Sequence, residues 1–198
     1  MATPNEKLAQ SLDILKSLAE AGRSAIRSDD LTRTHRERLV KSGFLREVMK
    51  GWYIPARPDL GQGESVAWYT AYWGFCADYL NVRYGEDWCL SPEQSLLLQA
   101  EVRTVPPQLG VRAARGDNKP VNLPEGHSIF AARSALPPAS EVVMEEGLRL
   151  IGTAYALTMI TEEAYRRHPT ACRAALLSLD SASEILHILL ENEAPVVA

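Results

Sequence analysis

Apolar residues recur every three or four positions near the start of the chain, and the repeat comprises Leu8, Leu12, Leu15 and Ala19. This spacing places the apolar side chains on one face, so it predicts an amphipathic helix over residues 6–21. Gly22 is the type of residue that commonly follows a helix. A short extended segment is predicted around Ile26. Residues 28–31 are then predicted to form a second helix of about one turn, with Ser28 as its N-cap.

A third helix is predicted to begin at Thr32 or Thr34, because either hydroxyl can accept a hydrogen bond from a backbone N–H of the first turn. Thr34 and Glu37 also have the spacing of a capping box, in which the glutamate reaches back to the cap. Leu39 and Val40 are expected to point inward. The solvent side of this helix is expected to be basic, since it carries Arg33, Arg36, Arg38 and Lys41.

Two short strands are predicted directly after the third helix, from Phe44 to Val48 and from Trp52 to Ile54. The residues between them form a tight turn in which Gly51 can adopt a positive φ. Helix, short helix, basic helix and β-hairpin in this order are typical of a winged helix-turn-helix. We therefore predict a winged helix-turn-helix DNA-binding domain over residues 1–57.

The remaining residues, 58–198, are predicted to form a small mixed α/β domain after a Pro- and Gly-rich linker at 55–63. A long helix is predicted from 64 to 83, and its many aromatic residues indicate a buried core helix more than an exposed platform for stacking bases. Short apolar runs predict strands, at 88–90, 108–113, 120–123, 127–132 and 148–151. Helices are predicted at 92–100, 153–165, 169–179 and 181–191. The predicted fold class of the whole chain is α/β (α+β).

The charge of the chain is unevenly distributed. The 198 residues have a formal net charge of -4, which by itself argues against a polyanionic partner. Residues 1–60, however, carry 11 Lys and Arg against 8 Asp and Glu, and the window 23–57 has nine basic against four acidic residues. This asymmetry predicts a basic binding module joined to an acidic domain, and uneven surface charge without a function is the alternative.

Double-stranded DNA is the partner that a basic winged helix predicts, because a helix fits the major groove and the hairpin reaches the adjacent backbone. The residues expected nearest the bases are Arg33, Thr34, His35 and Arg38. The residues expected to contact phosphates are Arg27, Arg36, Lys41, Arg46 and Lys50. The alternative is a protein-interaction module with a merely solvated basic face, since Glu37 lies among these cations.

Sequence motifs of common enzyme families are absent, including GxxxxGK, GxSxG, HExxH and GxGxxG. His168 in the run RRHP is superficially similar to the start of a Fic motif, but the phosphate-binding loop that such an enzyme needs is missing, so a helix-terminal role is predicted. Glu93 belongs to the one polar cluster of interest, and helix capping is its first explanation. We predict no enzymatic activity and no cofactor.

Three cysteines, Cys76, Cys89 and Cys172, have no CxxC spacing and no histidine at metal-ligand distance in the sequence, so they predict buried thiols and no metal site. The uncharged stretches are shorter than the roughly 18 to 20 residues that cross a bilayer, and the N-terminus has no signal pattern. The expectation is therefore a soluble, cytoplasmic protein without a membrane partner.

The segment LVKSGFLREVMKGWYIP resembles the N-terminal domain of AbiEi-family antitoxins. In that family a helix ending in an apolar-Gly-apolar step leads to a wing closed by a basic-Gly-aromatic-Tyr run. The matching residues here are Leu39, Val40, Gly43, Phe44, Leu45, Lys50, Gly51, Trp52 and Tyr53. The resemblance covers residues 8–55, and the short second helix departs from the family pattern. Similar segments also resemble regulatory regions that precede Fic domains in some bacterial proteins.

The AbiEi resemblance implies a bacterial regulator that binds its own operator DNA, autoregulates a toxin–antitoxin operon and counters a partner toxin. Because operators are commonly palindromic or repeated, two copies of the chain are expected to bind together as a homodimer. The alternative is a regulatory protein-interaction module associated with a Fic-type enzyme and without catalysis of its own. A nucleic-acid enzyme with a dispersed carboxylate site is a third, weaker option.

Overall fold

The computed structural model describes residues 3–58 and 64–191 and has the predicted α/β composition of helices and mixed sheets. The chain divides into two compact units. The first unit comprises Met1–Gly85 and Val121–Ser128, and the second comprises Glu86–Pro120 and Ile129–Ala198. The boundaries of the compact units therefore differ from the predicted domain boundary between residues 57 and 58. Part of the predicted linker, residues 59–63, lies outside the described residues.

Among the described residues, the first unit contains three α-helices, a short 3₁₀ helix (Pro124–Gly126) and a three-stranded antiparallel sheet. Its elements are α1 (Pro4–Glu20), β1 (Ile26–Arg27), α2 (Arg33–Lys41), β2 (Leu45–Met49), β3 (Trp52–Pro55) and α3 (Glu64–Tyr84). The sheet order is β1-β3-β2. Buried side chains from α1, β1, α2 and β2, together with the loop before α2, form one core, namely Leu15, Ile26, Leu31, Leu39 and Leu45 with Tyr53 of β3. The predicted first and third helices, the extended segment and the hairpin are confirmed.

The predicted one-turn helix at residues 28–31 is wrong, because these residues form a turn. The Asp30 carboxylate accepts a hydrogen bond from the Arg27 backbone N–H at 2.7 Å, and the Asp30 N–H donates to the Arg27 carbonyl at 3.1 Å. An aspartate that bonds its own neighbouring backbone in this way competes with helix formation. The structure therefore lacks, at residues 28–31, the second helix that the predicted winged helix-turn-helix requires.

Helix α2 begins at a different cap from the predicted capping box. Thr32 is the N-cap, and its hydroxyl accepts from the His35 backbone N–H at 3.4 Å. Glu37 does not reach back to Thr34, because its carboxylate accepts a hydrogen bond from Arg33 at 2.6 Å. The expectation that Val40 points inward is also wrong, since this residue is 42% exposed.

Helix α3 belongs to the first unit because it packs against β3. The Trp52 ring meets the rings of Phe75 and Tyr79 edge-on, at centroid distances of 6.0 and 5.3 Å. Gly74 allows the loop after α1 to approach, since a Cβ at this position would lie 2.3 Å from the Ser24 hydroxyl oxygen. The aromatic residues Trp68, Tyr72 and Phe75 are fully buried. The predicted buried core helix is confirmed.

The second unit combines a sheet, a hairpin and five helices within the described residues. Its elements are β4 (Trp88–Leu90), α4 (Pro92–Gln99), β5 (Gln108–Ala113), β7 (Ser128–Arg133), β8 (Val142–Glu145), β9 (Leu148–Ile151), α5 (Thr153–Met159), α6 (Glu162–Arg167), α7 (Pro169–Leu177) and α8 (Ala182–Glu191). Strand β6 (Pro120–Asn122) and the first residue of β7 fall at the boundary between the units. Strands β4, β5 and β7 are neighbours in that order, and β8 pairs with β9.

Two features of the second unit differ from the sequence-based expectation. Strand β8 was not predicted, although it forms a hairpin with the predicted strand β9. The single helix predicted over residues 153–165 is two helices, because Ile160 adopts an extended conformation. The Thr161 hydroxyl then accepts from the Ala164 backbone N–H at 3.2 Å and caps a new helix.

The three cysteines are free and buried, as predicted. Burial raises the pKa of the Cys89 thiol to about 11, so this thiol stays protonated at neutral pH and is a poor nucleophile. Over the part of the chain that the structure describes, no helix combines the length and the apolar character needed to cross a bilayer.

Candidate nucleic-acid interface

One side of helix α2 faces helix α1 and uses two of the predicted base-contacting residues. The Arg38 guanidinium donates hydrogen bonds to the Lys7 carbonyl and the Ser11 hydroxyl, both at 2.8 Å. His35 Nδ1 lies 2.9 Å from the same Ser11 hydroxyl, which is fully buried. His35 and Arg38 therefore join α2 to α1, and both side chains are only partly exposed. That these two residues lie nearest the bases stays a prediction.

Arg36, predicted to contact phosphate, also makes contacts within the fold. Its guanidinium donates to the Ser28 carbonyl at 2.8 Å and lies 6.0 Å above the centre of the Tyr53 ring. Both contacts hold α2 against the turn that precedes it and against β3. Arg36 therefore stabilises the position of α2, and its side chain is only partly exposed.

Arg27 and Arg46 are paired with carboxylates. An Arg27 guanidinium nitrogen lies 3.8 Å from Asp30, whose side chain is mostly buried. An Arg46 nitrogen lies 3.6 Å from Glu125. A phosphate would have to compete with these carboxylates, so neither arginine is a strong candidate for a first contact with a nucleic acid.

The remaining predicted contacts are exposed. Arg33 is the most exposed of the arginines on α2, with 82% of its side chain accessible. Thr34, Lys41 and Lys50 are also exposed, and within residues 3–58 and 64–191 neither lysine side chain has an ion pair. Arg33 and Lys41 lie near the two ends of α2, and Lys50 is in the hairpin turn. We call Arg33, Lys41 and Lys50 the outward cations.

Two carboxylates reduce the positive charge of this surface. Glu37 lies one helical turn after Arg33, and the hydrogen bond between them, together with their opposite charges, raises the pKa of Arg33 and lowers the pKa of Glu37. Glu47 on β2 accepts from the Gly51 N–H at 3.3 Å and from the Tyr53 hydroxyl at 3.4 Å. The surface between α2 and the hairpin is therefore of mixed charge.

The arrangement of α1 against α2 depends on a residue that the sequence reasoning did not select. Ser11 is a polar residue in the first helix, four positions before the buried Leu15, and it binds both His35 and Arg38. Ser11 lies four residues before the core residue Leu15, so the helical repeat places this serine on the buried face of α1. A buried hydroxyl needs a hydrogen-bond partner on the facing helix, and here the partners are His35 and Arg38.

The polar cluster around Glu93 in the second unit is structural. The Glu93 carboxylate accepts a hydrogen bond from Arg167 at 2.9 Å and lies 3.0 Å from His168 Nε2. His168 stands between α6 and α7, which is the helix-terminal position expected for it. The cluster therefore joins the start of α4 to this helix junction. Across the described residues there is no group of three or more side chains that could bind a metal ion.

The chain matches no protein-family model, no curated protein and no solved structure.

Proposed function

We propose that the first unit binds double-stranded DNA and that the protein is a transcriptional regulator. The observation that supports this proposal best is the placement of the outward cations on a helix and on the turn of the hairpin that follows it. An α-helix with side chains is about 10–12 Å across, and the major groove of B-DNA is about 12 Å wide. A helix flanked by a hairpin can therefore contact bases and backbone together.

The proposed contacts differ from those expected from the sequence. Because His35 and Arg38 are occupied by α1, base recognition falls to Arg33 and Thr34 at the start of α2, where residues of a recognition helix commonly meet base edges. Lys41 and Lys50 then contact phosphates, which provide affinity without sequence preference.

The biological role that we propose is that of an AbiEi-type antitoxin, which autoregulates its operon and counters a cognate toxin. The resemblance of residues 8–55 to that family is the support for this finer proposal. Binding as a homodimer is proposed because operators are commonly palindromic. The two proposed protein partners are therefore a cognate toxin and a second copy of this chain.

A protein-interaction module, such as the regulatory segment of a Fic-type enzyme, is the second candidate function. It is favoured by Glu37 and Glu47, which lie on the same surface as the outward cations and would repel phosphate groups. It is also favoured by the contacts of Arg36 and Arg38 within the fold, which leave these two partly exposed cations less available to phosphate groups. Mixed charge of this kind suits a protein partner better than a polyanion.

DNA binding is tested by fluorescence anisotropy with a duplex from the upstream region of the gene, at salt concentrations from 50 to 200 mM. We expect binding that weakens with salt, with a log–log slope of about -2 or steeper, since each of the two proposed phosphate contacts contributes about -0.9. Absence of binding to both this duplex and an unrelated duplex at about 50 mM salt would refute the DNA proposal. Pulling down a nucleotidyltransferase encoded by the neighbouring gene would support the antitoxin role.

The variant Glu37→Gln distinguishes the two candidate functions. We expect it to tighten DNA binding by about three- to tenfold at 50 mM salt, because it releases Arg33 from an ion pair and removes a charge that repels phosphate. The matched control is Glu20→Gln, since Glu20 forms an equally exposed pair with Lys16 on α1. An unchanged or weakened affinity for DNA in Glu37→Gln would favour the protein-interaction module.

A further inference from the structure

A groove in the first unit has the size of a small-molecule site. The ends of α1 and α2, the base of the β2–β3 hairpin and the first half of α3 border it, and its volume is about 1130 Å³. Sites for small organic ligands are typically about 300–1,000 Å³. The groove can therefore hold such a ligand with room for water at its open side.

The walls of the groove expose apolar side chains to solvent. Val40 at the end of α2 is 42% exposed and Val66 near the start of α3 is 57% exposed, and both line the groove. Ala67 and Ala71 of α3 have small side chains that widen the groove. Apolar side chains that remain exposed inside a concave surface indicate a site for an apolar ligand group.

The groove is also positively charged. Arg23 after α1 and Arg57 after β3 line it, and neither has an ion pair with another residue of the described ranges. Arg46 lines it as well, although it pairs with Glu125. The one carboxylate among the described lining residues is Glu47, which already accepts hydrogen bonds from the hairpin. Two arginines with available donors suit a carboxylate, because a guanidinium can bind both of its oxygens.

We propose that this groove binds a small organic carboxylate with an apolar body. The apolar body packs on Val40 and Val66, and the carboxylate binds Arg23, Arg57 or both. A neutral apolar molecule leaves the arginines without a partner, and a small anion leaves the apolar walls in water. The site therefore selects for both groups in one molecule. This inference does not depend on DNA binding.

The test is an NMR titration of the full chain with ¹³C-labelled methyl groups, using 2-naphthoate as the probe. We expect shift changes centred on the methyl groups of Val40, Val66 and Ala67, with saturation in the micromolar to low millimolar range. The neutral analogue 2-naphthalenemethanol and the small anion acetate are expected to bind at least tenfold more weakly. Equal binding of naphthoate and its neutral analogue, or changes centred elsewhere, would overturn the proposal.

Variants separate this site from general attraction of anions. The double variant Arg23→Ala, Arg57→Ala is expected to weaken naphthoate binding at least tenfold. The double variant Arg115→Ala, Arg166→Ala, which removes two exposed cations of the second unit, is expected to leave it unchanged. Equal losses of naphthoate affinity in the two double variants would overturn the proposal.

A third variant, Val66→Glu, keeps the test valid if the arginine variant loses its fold. Val66 is more than half exposed on α3, so a longer polar side chain there leaves the core intact. We expect it to abolish naphthoate binding through repulsion of the carboxylate and loss of an apolar wall. Retained binding in Val66→Glu would count against the groove as the site.

Discussion

Replacing Arg33, Lys41 and Lys50 together with alanine is expected to weaken DNA binding about 10³-fold at 50 mM salt. Lys41 and Lys50 are the two proposed phosphate contacts, and each contributes roughly one power of ten to the association constant at this salt concentration, because it releases condensed counterions. Loss of the proposed base contact of Arg33 is expected to cost a further factor of about ten. The magnitude of the slope of log K against log salt is expected to fall by about 2, which anisotropy titrations at several salt concentrations measure directly. The three side chains are exposed, so the fold is expected to be unchanged.

The control for this prediction removes the same charge elsewhere. Lys16, Arg115 and Arg166 are exposed, each is paired with an exposed carboxylate, and none is on α2 or the hairpin. Replacing these three with alanine is expected to change the affinity by less than about tenfold, through the net charge alone. Similar losses in the two triple variants would mean that the outward cations form no interface.

The variant Asp78→Ala is expected to lower the free energy of unfolding by about 2–4 kcal/mol. The Asp78 carboxylate on α3 accepts hydrogen bonds from the backbone N–H groups of Ser24 and Ala25, both at 2.8 Å. Ala25 is fully buried, so without the carboxylate its N–H lacks a partner and is shielded from water. Each donor left unsatisfied costs about 1–3 kcal/mol. Urea unfolding followed by circular dichroism measures the change.

Two variants calibrate the Asp78 result. Asp78→Asn retains a side-chain oxygen that can accept from both N–H groups, so we expect it to lose less than half as much stability as Asp78→Ala. Asp13→Ala removes an exposed aspartate of α1 and is expected to change the free energy of unfolding by less than about 0.5 kcal/mol. If Asp78→Ala were as stable as Asp13→Ala, α3 would contribute little to holding the loop after α1.

Several elements could be predicted from local sequence because their signals are local. The hairpin β2–β3 follows from short apolar runs on both sides of Gly51, whose φ of +81° suits glycine. Strand β5 and helix α4 were predicted at nearly their observed bounds, since Ser91 and Pro92 form a strong helix start. The break at Ile160 was missed because the helical pattern continues across it and only the Thr161 cap marks it.

The candidate interface could be predicted as a region but not residue by residue. The basic composition of residues 23–57 predicts the region that would contact a polyanion, and this stays a prediction. Which arginine faces outward depends on the partner that each one finds. Arg38 and Arg33 are five positions apart on the same helix, yet Arg38 meets the Lys7 carbonyl of α1 whereas Arg33 meets solvent and Glu37.

The sequence by itself determined the α/β class, the order of α1, β1, α2, β2 and β3, and the burial of the cysteines, because helix periodicity, caps, turn glycines and apolar character act over a few residues. Only the tertiary structure decided that α3 joins the first unit and that His35 and Arg38 form hydrogen bonds with α1. The tertiary structure alone also places Val40, Arg23 and Arg57 along the same groove. These outcomes depend on contacts between residues far apart in the chain, such as Asp78 with Ser24 and Ser11 with Arg38, which local patterns do not encode.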